Sequence, residues 1–447
     1  YLYPGKLDGL FFALFVIGCV TAWIWNWDSN PPVIDAPEFA VVGPTRALEI
    51  GVGDEGRGLR RISILLEQGP RQAVLAAEDM SLSWLPWRNG PTERSFAVDG
   101  WETFELAEGP FQLSIHAEDQ PNFWLVSRSS ELVLHCRYDA TAPRIAPVPA
   151  EWRVQQGGSE LVVYEVSEPA DRSGVLVGDR SFEGVKYPAL GENVRLCLFA
   201  LGHNQPLDAR VSLWAEDAAG NRSKQELPCR LLPGRFRTRE ITLTDAFMQK
   251  VVPGILEQVS ERGPDGDLLD RYLWINRELR RRNNEEIRTL TSAATPERYW
   301  SQPFLQLRNT QVEAVFADHR KYFYQGRLVD EQVHLGFDLA SVAHSPVEAA
   351  NTGRVVFAGN LGIYGNTVIV DHGWGLYSLY AHLSRIDVES GRLVERGEPL
   401  GNTGQTGLAG GDHLHFSMLV QGEQVSPLEW WDPNWVGNHV EARLGGL

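Results

Sequence analysis

The spacing of the histidines in the C-terminal part is the feature that most constrains how this chain can fold. Eight of the eleven histidines lie from residue 319 onward. His413 and His415 are two residues apart, which on a β-strand places both imidazoles on one face. His334 and Asp338 form a second close pair, and His382 lies between the two pairs. Two imidazoles and one carboxylate are a usual ligand set for catalytic zinc, so the spacing predicts a β-rich metal centre.

The residues around these pairs resemble the lysostaphin/LytM-type zinc metallopeptidases of bacterial cell walls. The matching motifs follow one another in register over residues 334–427 and are His334-x-Gly-x-Asp338, Ser345–Ala350, Gly353–Val355, Tyr364–Val370, Asp371–Gly373, Tyr380–Leu383, Gly397–Gly401, Thr406–Gly407 and His413–Phe416. The resemblance implies an antiparallel β peptidase domain over 305–447, with the metal site in its groove. It says nothing direct about residues 30–235.

The resemblance also assigns roles to the five site residues. It implies that His334, Asp338 and His415 bind Zn²⁺, and that His382 and His413 are catalytic residues that face the substrate without binding the metal. Zinc polarises a scissile carbonyl, and an imidazole near pH 7 suits a general base or a donor to the developing oxyanion. Which of the two histidines takes the first proton is left open.

The other polar residues of this region receive weaker expectations. His372 matches a family position that we expect in a turn, and His319 and His439 are expected at the surface. His344 is expected in a surface loop, with a place beside the metal ligands as the alternative. Some family members block the fourth metal position with an upstream asparagine, but no motif supports that role for Asn309.

The N-terminal segment predicts a membrane anchor over residues 1–28. Gly9–Trp25 contains one polar side chain, Thr21, and extension to Trp27 gives 19 residues, about the hydrocarbon thickness of a bilayer. Lys6 precedes the segment and acidic residues follow it, which predicts a cytoplasmic N-terminus and a bulk that is periplasmic or extracellular. A lipoprotein processed at Cys19, a cleaved signal peptide and a buried core helix are the alternatives.

An internal repeat organises the middle of the chain. Leu113–Asp119 matches Val211–Asp217, displaced by 98 residues, about the length of one immunoglobulin-like sandwich. The second copy continues into Ala218–Arg222, which resembles the end of many bacterial extracellular immunoglobulin-like modules. After a Pro-rich linker at 29–46, we therefore predict two immunoglobulin-like β-sandwiches over 47–142 and 143–235. A chance match between two strands is the alternative.

Helical periodicity replaces the strand pattern after the second predicted sandwich. Apolar residues at near-helical spacing predict a helical spacer or lid over 236–304; they are Leu268, Tyr272, Leu279 and Ile287. The fold class expected is therefore mainly β and multidomain: a transmembrane helix, two sandwiches, a helical spacer and a C-terminal peptidase domain. Cys197 and Cys229 are expected to pair within the second sandwich, with Cys136 as a competitor.

Charge and architecture narrow the function. The 58 acidic residues against 41 Lys plus Arg give a net charge of −17, which argues against nucleic acid as a partner. The resemblance predicts a membrane-anchored zinc endopeptidase that cuts peptide cross-links of peptidoglycan, with the peptide stems as substrate. Cell-wall or division proteins are candidate partners of the sandwiches.

Two other classes of function stay open at this point. One is an inactive relative that regulates other wall hydrolases, and the other is a secreted adhesion or binding protein. The bond that is cut is also open, since diaminopimelate, lysine and oligoglycine cross-links all occur as substrates in the family. The long arm favours D-alanyl–diaminopimelate links.

Overall fold

Strands account for 45% of the structure and helices for 18%, which confirms the mainly β class. The computed structural model describes residues 4–25, 30–80, 91–121, 126–259 and 263–445. The chain divides into two compact units. One holds the residues up to Pro143 together with Glu216–Arg222, and the other holds Arg144–Ala215 together with the residues from Ser223 onward.

The N-terminal helix α1 begins at Pro4 and ends at Trp25, within the segment predicted as an anchor. Across the ranges that the structure describes, no helix combines the length and the apolar character needed to cross a bilayer. The membrane anchor over residues 1–28 stays a prediction.

The first unit is built on two sheets that enclose one apolar core. Its strands β1 to β8 are Val33–Asp35, Phe39–Val42, Leu48–Gly53, Leu59–Gln68, Arg71–Asp79, Glu93–Val98, Gly109–Asp119 and Ser129–Tyr138. The sheet orders are β1-β3-β6 and β2-β8-β7-β4-β5. Alternate residues of β4 and β7, such as Ile62 and Leu113, are buried against Ile50 and Val52 of β3, as expected for sheets covered on one face.

Residues 144–234 contain a second group of sheets. The strands β9 to β18 are Ile145–Pro147, Trp152–Gln155, Ser159–Val166, Ala170–Val177, Arg180–Glu183, Val185–Lys186, Val194–Ala200, Val211–Asp217, Arg222–Glu226 and Cys229–Leu232. They form sheets of order β14-β15-β11-β9 and β13-β12-β16-β17, and the pair β10-β18. Both copies of the repeated sequence form strands, β7 and β16, and each ends at a buried aspartate, Asp119 or Asp217. The immunoglobulin-like character and the domain boundaries stay predictions.

The predicted pairing of Cys197 with Cys229 is wrong. Cys197 lies on β15 with its Sγ 3.4 Å from the backbone oxygen of Phe182, whereas Cys229 begins β18 in a different sheet. Both thiols are free, and so is Cys136, which is buried on β8. Burial raises the pKa of the Cys197 thiol, so this side chain behaves as a small core residue.

The remaining strands form the sheets of the C-terminal region. Strands β19 to β32 are Thr238–Leu243, Gln311–Ala314, Asp318–Tyr324, Arg327–His334, Phe337–Ala340, Pro346–Glu348, Gly353–Asn360, Asn366–Asp371, Leu376–Leu383, Arg385–Ile386, Leu393–Val394, Pro399–Asn402, Leu414–Val420 and Glu423–Val425. The main sheet has the order β20-β23-β31-β27-β26-β25-β29, with β32 beside β31. The described strands of this sheet pair antiparallel, as the resemblance implies.

The segment predicted as a helical spacer belongs to this region. It starts with β19, which pairs in parallel with β21, and continues with α2 (Asp245–Gln258), α3 (Leu268–Trp274), a π-helical turn (Ile275–Leu279) and α4 (Arg280–Leu290). The helices form as predicted, but they share a core with the main sheet instead of standing apart. This core includes Ile255, Tyr272, Leu279, Ile287, Ile369, Leu379 and Leu419.

The main sheet also shares an apolar core with the second sandwich. Trp374 and Trp430 contribute to the same cluster as Leu161 and Phe199. Polar contacts reinforce it: the backbone N–H of Ser159 donates to Glu429 on helix α5 (Pro427–Trp431), with N and Oε2 2.8 Å apart. The second sandwich and the main sheet therefore pack on each other through one shared core.

The chain ends in short helical turns that contact the second sandwich. Helix α6 (Pro433–Val436), a π-helical turn (Gly437–Glu441) and α7 (Ala442–Leu444) follow α5. His439 is half-buried and its Nδ1 lies 2.9 Å from the carboxylate of the buried Glu160. The expectation that His439 lies at the surface is only partly met, because the contact with Glu160 holds its ring against β11.

Candidate metal centre

Three neighbouring strands bring the predicted metal ligands together. His334 ends β22, Asp338 lies on β23 and His415 lies on β31. Asp338 and His415 are direct partners in the antiparallel register, so their side chains emerge on the same face of the sheet. All three residues are buried, and together they form the one group of metal-binding type found in the described part of the chain.

The three donor atoms form a nearly equilateral triangle. His334 Nε2 lies 2.9 Å from Asp338 Oδ1 and 2.9 Å from His415 Nδ1, and His415 Nδ1 lies 3.0 Å from Asp338 Oδ1. A tetrahedral Zn²⁺ with bonds of about 2.0–2.2 Å holds its ligand atoms roughly 3.3 Å apart. A small outward movement of each donor would therefore admit the ion.

Hydrogen bonds on the far side of each ring fix which nitrogen faces the site. His334 Nδ1 donates to the backbone oxygen of Val315 (3.0 Å), so its Nε2 carries the lone pair. His415 Nε2 donates to Ser417 Oγ (3.0 Å), because that hydroxyl is already the donor to the oxygen of Leu335 (2.7 Å). Two lone pairs and one carboxylate oxygen thus converge, which is a donor set for a cation.

Arg320 on β21 completes the setting of the carboxylate. Its Nη2 donates to Asp338 Oδ2 (2.8 Å), which leaves Oδ1 directed at the two imidazoles. Burial alone would raise the pKa of Asp338, but His334 and the other site histidines hold that pKa well below its usual range. Asp338 is therefore ionised, and the residues present fit a zinc ion.

The glycine of the His-x-Gly-x-Asp motif is required by this packing. A Cβ on Gly336 would lie 2.6 Å from the ring of His415 and 2.5 Å from Ser417 Oγ. Any side chain at this position would displace the third donor and its hydrogen-bond partner.

His382 and His413 stand beside the donor triangle without belonging to it. Their rings are 4.9 Å apart, and His413 Nε2 lies 3.5 Å from Asp338 Oδ1. Each Nδ1 donates to a backbone oxygen, that of Thr406 for His382 (2.8 Å) and that of Gly411 for His413 (2.9 Å). Each Nε2 is thereby left to carry the lone pair when the ring is neutral.

The two environments shift the histidine pKa values in opposite directions. Burial, with His413 and His415 nearby, lowers the pKa of His382 well below its usual range. Burial also acts to lower the pKa of His413, but the hydrogen bond and charge of Asp338 outweigh it and raise that pKa. His382 also has a φ of +62°, a left-handed backbone that residues other than glycine adopt at a cost.

The remaining predicted residues lie outside the centre. His372 is fully buried in a network with Thr352 and Ser378, at the turn after β26, as the resemblance implies. His344 is exposed near Ser384, and His319 is exposed on β21, both as expected. Asn309 is not among the residues that line the cavity of the donor triangle.

The donor triangle opens into a cavity of about 400 Å³ whose wall contains residues that the motifs do not indicate. Arg280 comes from α4, Glu313 from β20 and Arg320 from β21, whereas Tyr364 of the same wall belongs to the motif Tyr364–Val370. Ser417 had a signal in the sequence, because it continues the alternation of His413 and His415 along one strand face. Arg280 and Arg320 had no such signal in the sequence, because their positions depend on how segments distant in the chain pack together.

The region that contains the metal centre matches a known protein family. Residues 332–427 match Peptidase family M23. The DD-carboxypeptidase/endopeptidase Mpg of Neisseria meningitidis is 39% identical over 97 residues, which is 22% of this chain and 22% of that protein. The peptidoglycan DD-endopeptidase ShyA of Vibrio cholerae is 38% identical over 96 residues, again 22% of each chain.

Two further relatives differ in the extent of the match. Lipoprotein NlpD of Yersinia enterocolitica is 36% identical over 94 residues, covering 21% of this chain and 96% of the compared sequence. A crystal structure of a peptidase M23 from Pseudomonas aeruginosa is 20% identical and covers 62% of this chain and 94% of its own, with a TM-score of 0.37.

Through residues 332–427 the chain belongs to peptidase family M23, which confirms the resemblance. The match spans about a fifth (22%) of the length of the Neisseria and Vibrio proteins.

Proposed function

We propose that this protein is a zinc metalloendopeptidase that hydrolyses peptide cross-links of peptidoglycan. The observation that carries the proposal is the convergence of His334, Asp338 and His415 on one point, with His382 and His413 beside it in an open cavity. Three protein donors leave a fourth position for water, which is the pattern of catalytic and not of structural zinc sites.

The side chains of the site have different roles in the proposed reaction. Zn²⁺ bound by the donor triangle would supply a Lewis acid for the scissile carbonyl and lower the pKa of a water molecule. His382 and His413 direct their Nε2 atoms into the cavity, where one takes a proton from the attacking water and the other donates to the developing oxyanion or the leaving amine. Arg320 keeps the Asp338 carboxylate oriented throughout.

The relatives suggest which bond is cut. Proteins named for DD-endopeptidase or DD-carboxypeptidase activity share the matched domain, so we propose D-alanyl cross-links as the substrate. Since peptidoglycan lies outside the cytoplasmic membrane, the proposal places the bulk of the chain there. Wall or division proteins remain proposed partners of the sandwiches.

A regulator of other wall hydrolases is the second candidate. Some members of the family are expected to work this way after losing metal ligands, whereas all five positions are filled here. The complete set of donors and the fit to a zinc ion favour catalysis.

The test combines metal content with turnover. We expect the purified protein to bind one zinc per chain and to release soluble fragments from purified peptidoglycan. The Asp338→Ala and His415→Ala variants should lose zinc and activity together, whereas His382→Ala and His413→Ala should keep zinc and lose about 100-fold or more in kcat. A zinc-loaded protein that releases nothing would support the regulator instead. Equal zinc occupancy in all variants would contradict the ligand assignment.

A further inference from the structure

The helical segment places an unneutralised cation in the wall of the metal-site cavity. Arg280 lines this cavity, and its Nε and Nη2 donate to the backbone oxygen and to Oδ1 of Asn276 (3.0 and 2.6 Å). Within the residues that the structure describes, no carboxylate pairs with Arg280. The positive charge of Arg320, in the same wall, is neutralised by its ion pair with Asp338.

Buried contacts hold Arg280 in this position. Asn276 is fully buried, and its Nδ2 donates to Asp330 Oδ2 (2.7 Å), which turns its Oδ1 toward Arg280. Asp330 also accepts from Arg277 Nε (2.8 Å), so its charge is neutralised away from the cavity. Both bonds to Asn276 leave the Nη1 group of Arg280 free for a ligand.

The backbone that carries Arg280 is itself unusual. The residues before it, Ile275–Leu279, wind as a π-helical turn inside an otherwise α-helical run from Leu268 to Leu290. Such turns are rare and occur often at functional sites. Here the turn lies one residue before the side chain that enters the cavity.

Arg280 also marks the junction of two cavities. The cavity of the donor triangle and a second cavity of about 740 Å³ share Arg280, Arg320 and Asp338 in their walls. A peptide that extends from the scissile bond into the second cavity therefore passes the guanidinium. Glu313 lines both cavities too, but it forms no ion pair with Arg280 in the described part of the chain.

We propose that Arg280 is a specificity-determining residue that binds a carboxylate of the peptide stem next to the scissile bond. This inference rests on the proposed function and adds to it the charge of the group that is recognised. A guanidinium binds a planar carboxylate through two N–H groups, and an arginine that pairs with no carboxylate in the described part of the chain favours an anion over a neutral amide. The carboxylate is either the C-terminal carboxylate of a stem or the side-chain carboxylate of its diamino acid.

The experiment uses three forms of one defined cross-linked peptide dimer. One form keeps both carboxylates, one has the C-terminal carboxylate amidated, and one has the diamino-acid carboxylate amidated. The full-length protein is compared with Arg280→Ala, Arg280→Lys and, as a matched control, Arg281→Ala. Arg281 lies on the same helix, is exposed, and pairs with Glu278 outside the cavity. Zinc content and the melting temperature are measured for every variant.

We expect amidation of one of the two carboxylates to raise the KM of the wild type about 10-fold or more, which identifies the source of the recognised charge. Arg280→Ala should raise KM by a similar factor on the free dimer, leave kcat and zinc unchanged, and abolish the discrimination. Arg280→Lys should keep part of the discrimination between the free and amidated dimers, and Arg281→Ala should keep all of it. Cleavage by the wild type with no discrimination, or discrimination kept by Arg280→Ala, would overturn the inference.

Failure of the proposed function gives a different pattern. In that case the wild type cleaves none of the dimers, and titration calorimetry on the zinc-loaded protein replaces kinetics. A 10-fold weaker binding of the free dimer to Arg280→Ala than to the wild type would uphold the carboxylate site. Equal binding would overturn it.

Discussion

Four imidazoles of the metal centre are each oriented by a hydrogen bond to the ring nitrogen that points away from the site. The acceptors are the backbone oxygens of Val315, Thr406 and Gly411 and the hydroxyl of Ser417. Because an oxygen that only accepts requires an N–H, the opposite nitrogen of each neutral ring is left without a proton. The site is thus preorganised before any ligand arrives.

The backbone at His382 predicts an inverted order of stability for two variants. At a φ of +62°, alanine keeps the steric cost of the left-handed conformation, whereas glycine does not. We expect the His382→Gly variant to be more stable than the His382→Ala variant, by about 1 kcal/mol in free energy of unfolding. In an ordinary strand, alanine is the more stable of the two residues. Urea unfolding of both variants measures this difference. If alanine is the more stable, the strained conformation does not exist in solution.

The buried His372 predicts a dependence of stability on pH. Burial lowers its pKa to about 4, below the value of about 6.5 in the unfolded chain. Its contribution to stability is therefore fully present above pH 6.5 and is lost as pH falls toward 4, because only the unfolded chain binds the proton. The total loss is about 3 kcal/mol.

The His372→Asn variant isolates this contribution from those of the site histidines. Between pH 7 and pH 5, the wild type should lose about 2 kcal/mol more in free energy of unfolding than the variant does. Urea unfolding at both pH values gives the comparison. Equal losses in the two proteins would mean that His372 is accessible to protons in the folded state.

At the scale of elements, the motifs predicted the site better than the packing around it. His413 and His415 were recognised because their spacing of two matches a strand, and the structure places His415 on β31 and His413 just before it. Arg320 was missed, because its contact with Asp338 depends on a pairing of β21 with β22 that no local pattern encodes. The helical periodicity of 268–290 indicated a buried face but not the sheet that covers it.

The turn between β31 and β32 is attached to the second sandwich by one side chain. Gln421 accepts from the backbone N–H of Glu183 (2.6 Å) and donates to the backbone oxygens of Glu183 (2.9 Å) and Leu198 (3.3 Å). A single amide thus satisfies three buried backbone groups of strands β13 and β15.

Gln421→Ala should therefore lower the free energy of unfolding by about 2–4 kcal/mol, since the alanine leaves those backbone groups unpaired. Thermal and urea unfolding measure the loss. Gln424→Ala serves as a control, because Gln424 is buried on β32 and, in the described part of the chain, forms no hydrogen bond to Glu183 or Leu198. An equal loss in both variants would show that burial, and not the bridging amide, accounts for the effect.

At the scale of the whole molecule, the catalytic region does not end where its motifs end. The aromatic residues Trp300 and Phe304 lie before the predicted domain start at 305, yet they pack on Trp374 and Trp430 inside the common core. The second sandwich covers the same core from residue 152 onward. The stability of the metal centre therefore depends on residues far upstream of it, from Trp152 onward.

Truncation tests this dependence. A fragment of residues 305–447 should be insoluble or lack a cooperative unfolding transition, because it exposes several large aromatic side chains worth about 1.5–3 kcal/mol each. A fragment of residues 144–447 should unfold in one transition. Calorimetry on both fragments gives the answer, and a sharp transition in the shorter one would contradict the shared core.

The core that the second sandwich shares with the main sheet also restricts how such a chain diversifies. A protease domain that folds by itself can be exchanged between genes, and chimeras joined at its boundaries stay active. Here a crossover inside the core would join halves whose side chains never adapted to each other. Junctions for recombination and for engineered swaps are therefore expected outside this core.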